Sequence, residues 1–360
     1  MLPLRRYLAV AAWLAAISAL LAPTGRAQAR SASTPAPTNI PPLRLNLDKT
    51  FKLNRKEHLS GRVAFVAFIS NFERIFVLDL DNHQVRALVD GPGRNSAPAW
   101  SPEGDRLAFS STRDGNKKIY ICDYEGENQQ RLTDGNANDD RPDWHPNGQS
   151  LIFDSTRENG SKTQKRINLW SIKANGKDLK RITNFKGQNF NARFSPDGSK
   201  VAYVTNRFWP GTDICIWNFK QGLERCPLKG SENYQRPLWS PKGNALAYLY
   251  GFAGDLNVAI LHFKGETEET FAPHHAAKFD MAWDPSSGKR MIFIHQSNGK
   301  LPFSIRIYRM DQKESVPLLE SPYLLRYLSW SKTTTMALEA ARAKELGSHT
   351  ESLLQKNGVE

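Results

Sequence analysis

Residues 100–115 read WSPEGDRLAFSSTRDG, and the phrase returns as WHPNGQSLIFDSTRENG at 144–160, FSPDGSKVAYVTNR at 194–207 and WSPKGNALAYLYG at 239–251. The aromatic that opens each unit is Trp100, Trp144, Phe194, Trp239, Trp283 and Trp330 in turn, at spacings of 44, 50, 45, 44 and 47 residues. A period in the forties with β-type patterning inside is the signature of propeller blades. Ser, then Pro with its preset φ, then Gly at the fourth position favour a type I turn after each aromatic. The runs that follow, RLAFSS, SLIFDS, KVAYVT, ALAYLY and RMIFIH, are short and rich in β-branched and aromatic residues, as buried strands are. Third strands come after a polar loop (KIYICD, INLWSI, ICIWNF, NVAILH, IRIYRM). A more polar fourth strand, QQRLT or LKRIT, suits an outer edge in water.

No such unit can bury both of its faces alone, so neighbours must stack around an axis, with the aromatic as filler between them. The two ends of the repeat decide the count. Residues 62–89 supply the second, third and fourth strands of a blade without a first, and LRYLSW, ending at Trp330, is a first strand with no blade after it. Joined, they complete one unit. The expectation is an all-β, six-bladed β-propeller of four-stranded antiparallel blades over residues 61–330, closed by pairing of N- and C-terminal strands.

The flanks read differently. Residues 1–29 carry Arg5 and Arg6, an apolar run at 8–22 and the small-x-small site Ala27-Gln28-Ala29, the pattern of a cleavable signal peptide. That run falls short of the roughly 20 residues of a membrane span. Residues 30–60 form an N-terminal arm rich in Pro, Ser and Thr, and residues 331–360 a helical tail with a helix over 335–346. A periplasmic monomer with no transmembrane segment is expected, with secretion as the alternative. The net charge of +13 is spread without a block of Lys/Arg, which favours acidic partners. Nucleic acid is not expected of an exported protein. Cys215 and Cys226 face each other if the chain turns at Lys220-Gln221. A disulfide is then reasonable in an oxidising compartment, and two reduced buried thiols are the alternative. Cys122 reads as a small hydrophobe.

The phrase P-x-W-S-P-D-G-x-x-[LIV]-A-[FY]-x-S-x-R-x-G, carried best from Pro98 to Trp283, resembles the repeat of the TolB-like, WD-type propeller family. It is also similar to the propellers of prolyl oligopeptidases. The resemblance implies an envelope propeller that binds a protein partner, as TolB does in the Tol–Pal system. The small α/β domain ahead of TolB's propeller has no counterpart expected in residues 30–60. A peptidase domain has none expected after Trp330.

Propeller ligands bind where the loops entering the first strands converge. In this chain that funnel would gather Asn95, Asp139, Asp140, Arg141, Asn189, Asn191, Tyr234, Arg236, Lys278, Asp280 and Arg326, a mixture suited to a polypeptide or glycan. No cofactor, metal or catalytic residue is expected. Asp134-x-Asn136-x-Asn138 opens like a Ca²⁺ loop, but Asp139 and His145 replace its Gly and Glu. His274 and His275 are adjacent and point apart in extended chain. No G-x-S-x-G, H-E-x-x-H, Walker or paired C-x-x-C motif occurs. The functional expectation is a non-enzymatic protein-binding scaffold of the periplasm or cell envelope. The alternative is a propeller enzyme on acidic sugars or lactones, of lyase or lactonase type.

Overall fold

The computed structural model describes residues 47–57, 59–157, 166–208, 210–230, 232–252, 255–271, 276–297 and 301–332. The signal peptide, the Pro-rich part of the arm, the His274-His275 pair and the C-terminal helix lie outside these residues.

Six antiparallel sheets surround one axis. Blade 1 joins Leu325–Ser331 to Arg62–Ile69, Phe72–Asp79 and Gln84–Val89. Blades 2 to 5 begin at Asn95–Trp100, Asp139–Trp144, Asn189–Phe194 and Tyr234–Trp239, and blade 6 at Ala276–Trp283. Closure is as the repeat predicts: Val63 pairs with Trp330 and Arg62 with Ser331.

The turn phrase has a visible cause in blades 2 to 6. The amide of Gly104 donates to the Ser101 carbonyl at 2.9 Å, and Gly104 sits at φ +70°, a left-handed value that favours glycine. The Ser101 hydroxyl accepts from the Arg106 amide at 3.0 Å, as Ser195 does from Lys200 at 2.9 Å and Ser240 from Ala245 at 3.1 Å. That side chain therefore sets the start of the second strand. Blade 3 has His145 there, whose Nδ1 accepts from the Asn147 amide, and blade 6 has Asp284, which accepts from the Ser286 amide.

The core consists of six apolar clusters, one in each seam between neighbouring blades. The opening aromatics tie the seams. The indole N–H of Trp144 donates to the Ala99 carbonyl, Trp239 to Arg193, and Trp283 to Leu238, each one blade back. Phe194 cannot donate, and it packs edge-on against His145 at 4.9 Å instead.

Two features go beyond the repeat. Lys52–Leu53 adds a fifth strand to blade 6, pairing with Glu320 and Leu319, while Phe51 is buried edge-on against Phe65 and Phe76. Burying that ring contributes about 1.5–3 kcal/mol and pins the chain's entry between blades 6 and 1. In blade 4, Cys215 and Cys226 are joined by a disulfide across the outer strand pair, beside a register shift between Ile214 and Ile216. No helix among the described residues is long and apolar enough to cross a membrane.

Candidate functional site: the axial channel

Every first strand changes register against its second strand near the residue three places before the aromatic. Those six positions are Ala97, Arg141, Asn191, Arg236, Asp280 and Tyr327. Five of them, all but Asp280, are non-glycine residues at φ between +51° and +61°. Such a backbone costs about 1–3 kcal/mol per residue and persists only where its surroundings dictate it. Here the bulge frees an amide to reach the preceding blade: Arg141 N donates to Ser110 Oγ at 3.1 Å, and Asn191 N to Asp154 Oδ1 at 2.8 Å.

Contacts between blades that are not neighbours show that the bulged side chains meet on the axis. The Arg236 guanidinium of blade 5 lies 4.8 Å from the centre of the Tyr327 ring of blade 1. Tyr327 also acts electrostatically on Lys117 and Arg141, from blades 2 and 3. Arg236 is 3.5 Å from Asp280, and Arg141 donates to Asp154 at 2.9 Å. Lys117 donates to Asp140 at 2.8 Å.

Charge is thus held in a buried setting. Burial pushes the Asp140 carboxyl up, but the Lys117 and Arg141 cations overcome it and leave Asp140 well below the usual carboxylate range. Asp154 goes the other way: burial raises it to about 6, because Arg141 offsets only part of the desolvation. Asp143 is raised by burial as well, against the opposing pull of Arg193.

Eight of the eleven predicted funnel residues fall into two groups. Asp140, Arg141, Asn191, Arg236 and Asp280 gather at the channel. Asn95, Asp139 and Asn189, five places before the aromatic, are fully buried within their blades. Asn95 donates to the Gly91 carbonyl and accepts from Arg113, while Asp139 accepts from Ser155 and Arg157. Both amide atoms of Asn189 lack a hydrogen-bond partner among the described residues. Tyr234 packs edge-on against Tyr248 at 5.8 Å, and Arg326 stands 4.0 Å from Glu73. Lys278 is placed on its strand, and its side chain lies outside what is described. Lys117, Asp154 and Tyr327 were not foreseen. Tyr327 could have been found, since it occupies the same repeat position as Arg141 and Arg236.

At the aromatic end the channel widens into a cavity of about 700 Å³. Its rim carries the turn prolines Pro102, Pro146, Pro196, Pro241 and Pro285, and its wall carries the first-strand aromatics with Asp143 and Arg193, 3.6 Å apart. In the sector of blade 1 the rim residue is Lys332. Among the described residues, the one cluster close enough to share a metal ion is Cys215, Glu224 and Cys226. It lies on the outer strands of blade 4, not in the channel, and its two sulfurs are bonded to each other.

Residues 57–208 match the family model of the TolB beta propeller domain. No curated protein matches the chain. Among solved structures, TolB from Acinetobacter baumannii aligns with TM-score 0.64 and 20% identity over 76% of this chain and 67% of that one. A putative TolB from Agrobacterium tumefaciens gives 0.57 and 17%, covering 74% of this chain and 99% of its own. An oligogalacturonate lyase in complex with manganese gives 0.54 and 14%, covering 74% and 77%. Identities this low speak to fold alone, and the family match spans residues 57–208, less than half of the chain. Residues 57–208 thus resemble the TolB beta propeller domain, and the ring as a whole shares the six-bladed propeller fold of the TolB structures.

Proposed function

We propose that this propeller is a protein-binding scaffold of the cell envelope, exported to the periplasm, which grips a polypeptide segment of its partner at the bulge ring. The observation that carries the reading is the convergence of Lys117, Arg141, Arg236, Asp280 and Tyr327 from five different blades. Donors, acceptors and an aromatic face are already held in place there, so a peptide backbone meets them without a cost for ordering them. The chain's positive charge draws acidic partners. The blade 4 disulfide fits an oxidising compartment. Crosslinking in intact cells from a photoreactive residue at position 141 or 236 tests the reading. One envelope protein captured in stoichiometric yield supports it, and adducts with no dominant partner overturn it.

A second reading has one observation behind it. Lys117, Arg141 and Arg236 beside Tyr327 could hold the carboxylates of a uronate chain, and the fold is shared with an oligogalacturonate lyase. Turnover of polyuronates, measured with and without added manganese, decides between the two.

A further inference from the structure

We propose that the aromatic mouth of the channel is a docking site for this chain's own C-terminal segment, residues 333–360. This mouth lies at the aromatic end of the first strands and adjoins the bulge ring, since Arg236 and Asp280 line it too, and the two readings are tested separately.

Three observations point to this occupant. The first is where the chain leaves the ring. Five sectors of the rim end in a turn proline, but the closing strand Leu325–Ser331 has no such turn after it, and Lys332 stands in the sixth place. Ser331 and Lys332 both line the cavity, so residue 333 begins at its wall. The second is reach. Met336 and Leu338 follow Lys332 by four and six residues, which spans roughly 6–9 Å if helical and up to about 21 Å if extended. Either reach is long enough to bring them over the opening.

The third is chemistry. The wall offers Trp, Pro, Met281 and Leu328 surface to an apolar occupant, and the segment supplies Met336, Leu338, Ala341 and Leu346 within its first fourteen residues. A thioether side chain adapts well to an irregular aromatic wall. Tethering does the rest. A segment anchored on the rim has an effective concentration near the millimolar range, so modest affinity is enough to keep it seated.

The test uses the full chain with a photoreactive phenylalanine analogue at position 338 and mapping of the crosslinked peptides. Adducts within one chain to the turns that hold Pro102, Pro241 or Pro285 are expected. Adducts joining two chains would assign the mouth to a second copy and overturn the proposal. So would adducts elsewhere on the ring, or none. A second measurement compares hydrogen exchange in the unmodified chain with that in a Met336→Asp/Leu338→Asp variant, whose changes lie outside the propeller strands. The rim amides of Gly104, Gly148, Gly198 and Gly243 are expected to exchange at least about tenfold faster in the variant. Equal rates overturn docking. Capture from position 141 is scored separately, so either reading can fail while the other stands.

Discussion

The guanidinium of Arg236 sits 4.8 Å from the centre of the Tyr327 ring, although a whole blade separates the strands that carry them. The same guanidinium faces Asp280, whose side chain is almost fully buried. Replacing Arg236 by Ala leaves that carboxylate without its cation, a loss of about 3–5 kcal/mol. The double variant Arg236→Ala/Asp280→Asn is expected to recover part of this. A coupling energy of about 1–3 kcal/mol is expected from the cycle in urea titrations, and additive losses would show that the two side chains do not interact.

Closure of the ring makes a second prediction. Trp330 pairs with Val63 and donates its indole N–H to the Ser60 carbonyl at 3.1 Å. Trp330→Ala is expected to cost about 3–5 kcal/mol, since it removes a large buried ring. Trp330→Phe keeps most of the packing and should lose only about 1–3 kcal/mol, from the unpaired carbonyl. Equal losses in the two variants would mean that the hydrogen bond, not the packing, latches the ring.

Two glycines separate backbone strain from collision. Gly126 and Gly115 both hold left-handed φ values, +88° and +95°. A Cβ on Gly126 would lie 2.1 Å from the Leu88 carbonyl oxygen of blade 1, whereas one on Gly115 meets nothing within 4 Å. Gly115→Ala is expected to cost about 1–2 kcal/mol from conformation alone. Gly126→Ala should cost at least twice that and expose the seam between blades 1 and 2 to hydrogen exchange. Thermal midpoints that fall equally would refute the close approach.

Asp154 sets a pH dependence of definite sign. Its folded value, about 6, lies above that of an unfolded carboxyl, so the folded state holds its proton more tightly. The stabilisation from this group is complete below about pH 4 and is lost as pH rises through 6, an effect of up to about 2–3 kcal/mol. Asp140 has the opposite sign. Its lowered value adds stability above about pH 4 that is lost as acid protonates it. Denaturant midpoints of the native chain minus those of Asp154→Asn should therefore fall between pH 4 and 6. A flat difference would show that Arg141 fully compensates the burial.

The ring, its blade count and its closure were legible because each blade repeats the same few constraints. Ser101, Pro102 and Gly104 form a turn, and Trp100 fills a seam. The bulge was not legible. It recurs at Ala97, Arg141, Asn191, Arg236 and Tyr327, residues with no chemistry in common, because the bulged residue contributes only its backbone amide, as Arg141 does to the Ser110 hydroxyl and Asn191 to the Asp154 carboxylate. Reading the entering loops as one converging mouth therefore groups Asn95, Asp139 and Asn189 with the channel residues. The bulge changes the register between them and the channel residues, and they are buried in their blades. Lys52–Leu53 was hidden for a simpler reason, since two residues carry no periodicity.

The pairing of Arg62–Ile69 with Leu325–Ser331 also fixes when the molecule can finish folding. A strand of Val, Ala and Phe is made early and must wait some 260 residues of synthesis for its partner. Until then its hydrogen-bonding edge is open to any other strand nearby. Maturation is thus expected to be slow and dependent on holdase chaperones, with incomplete chains, not mutated complete ones, as the main source of aggregates.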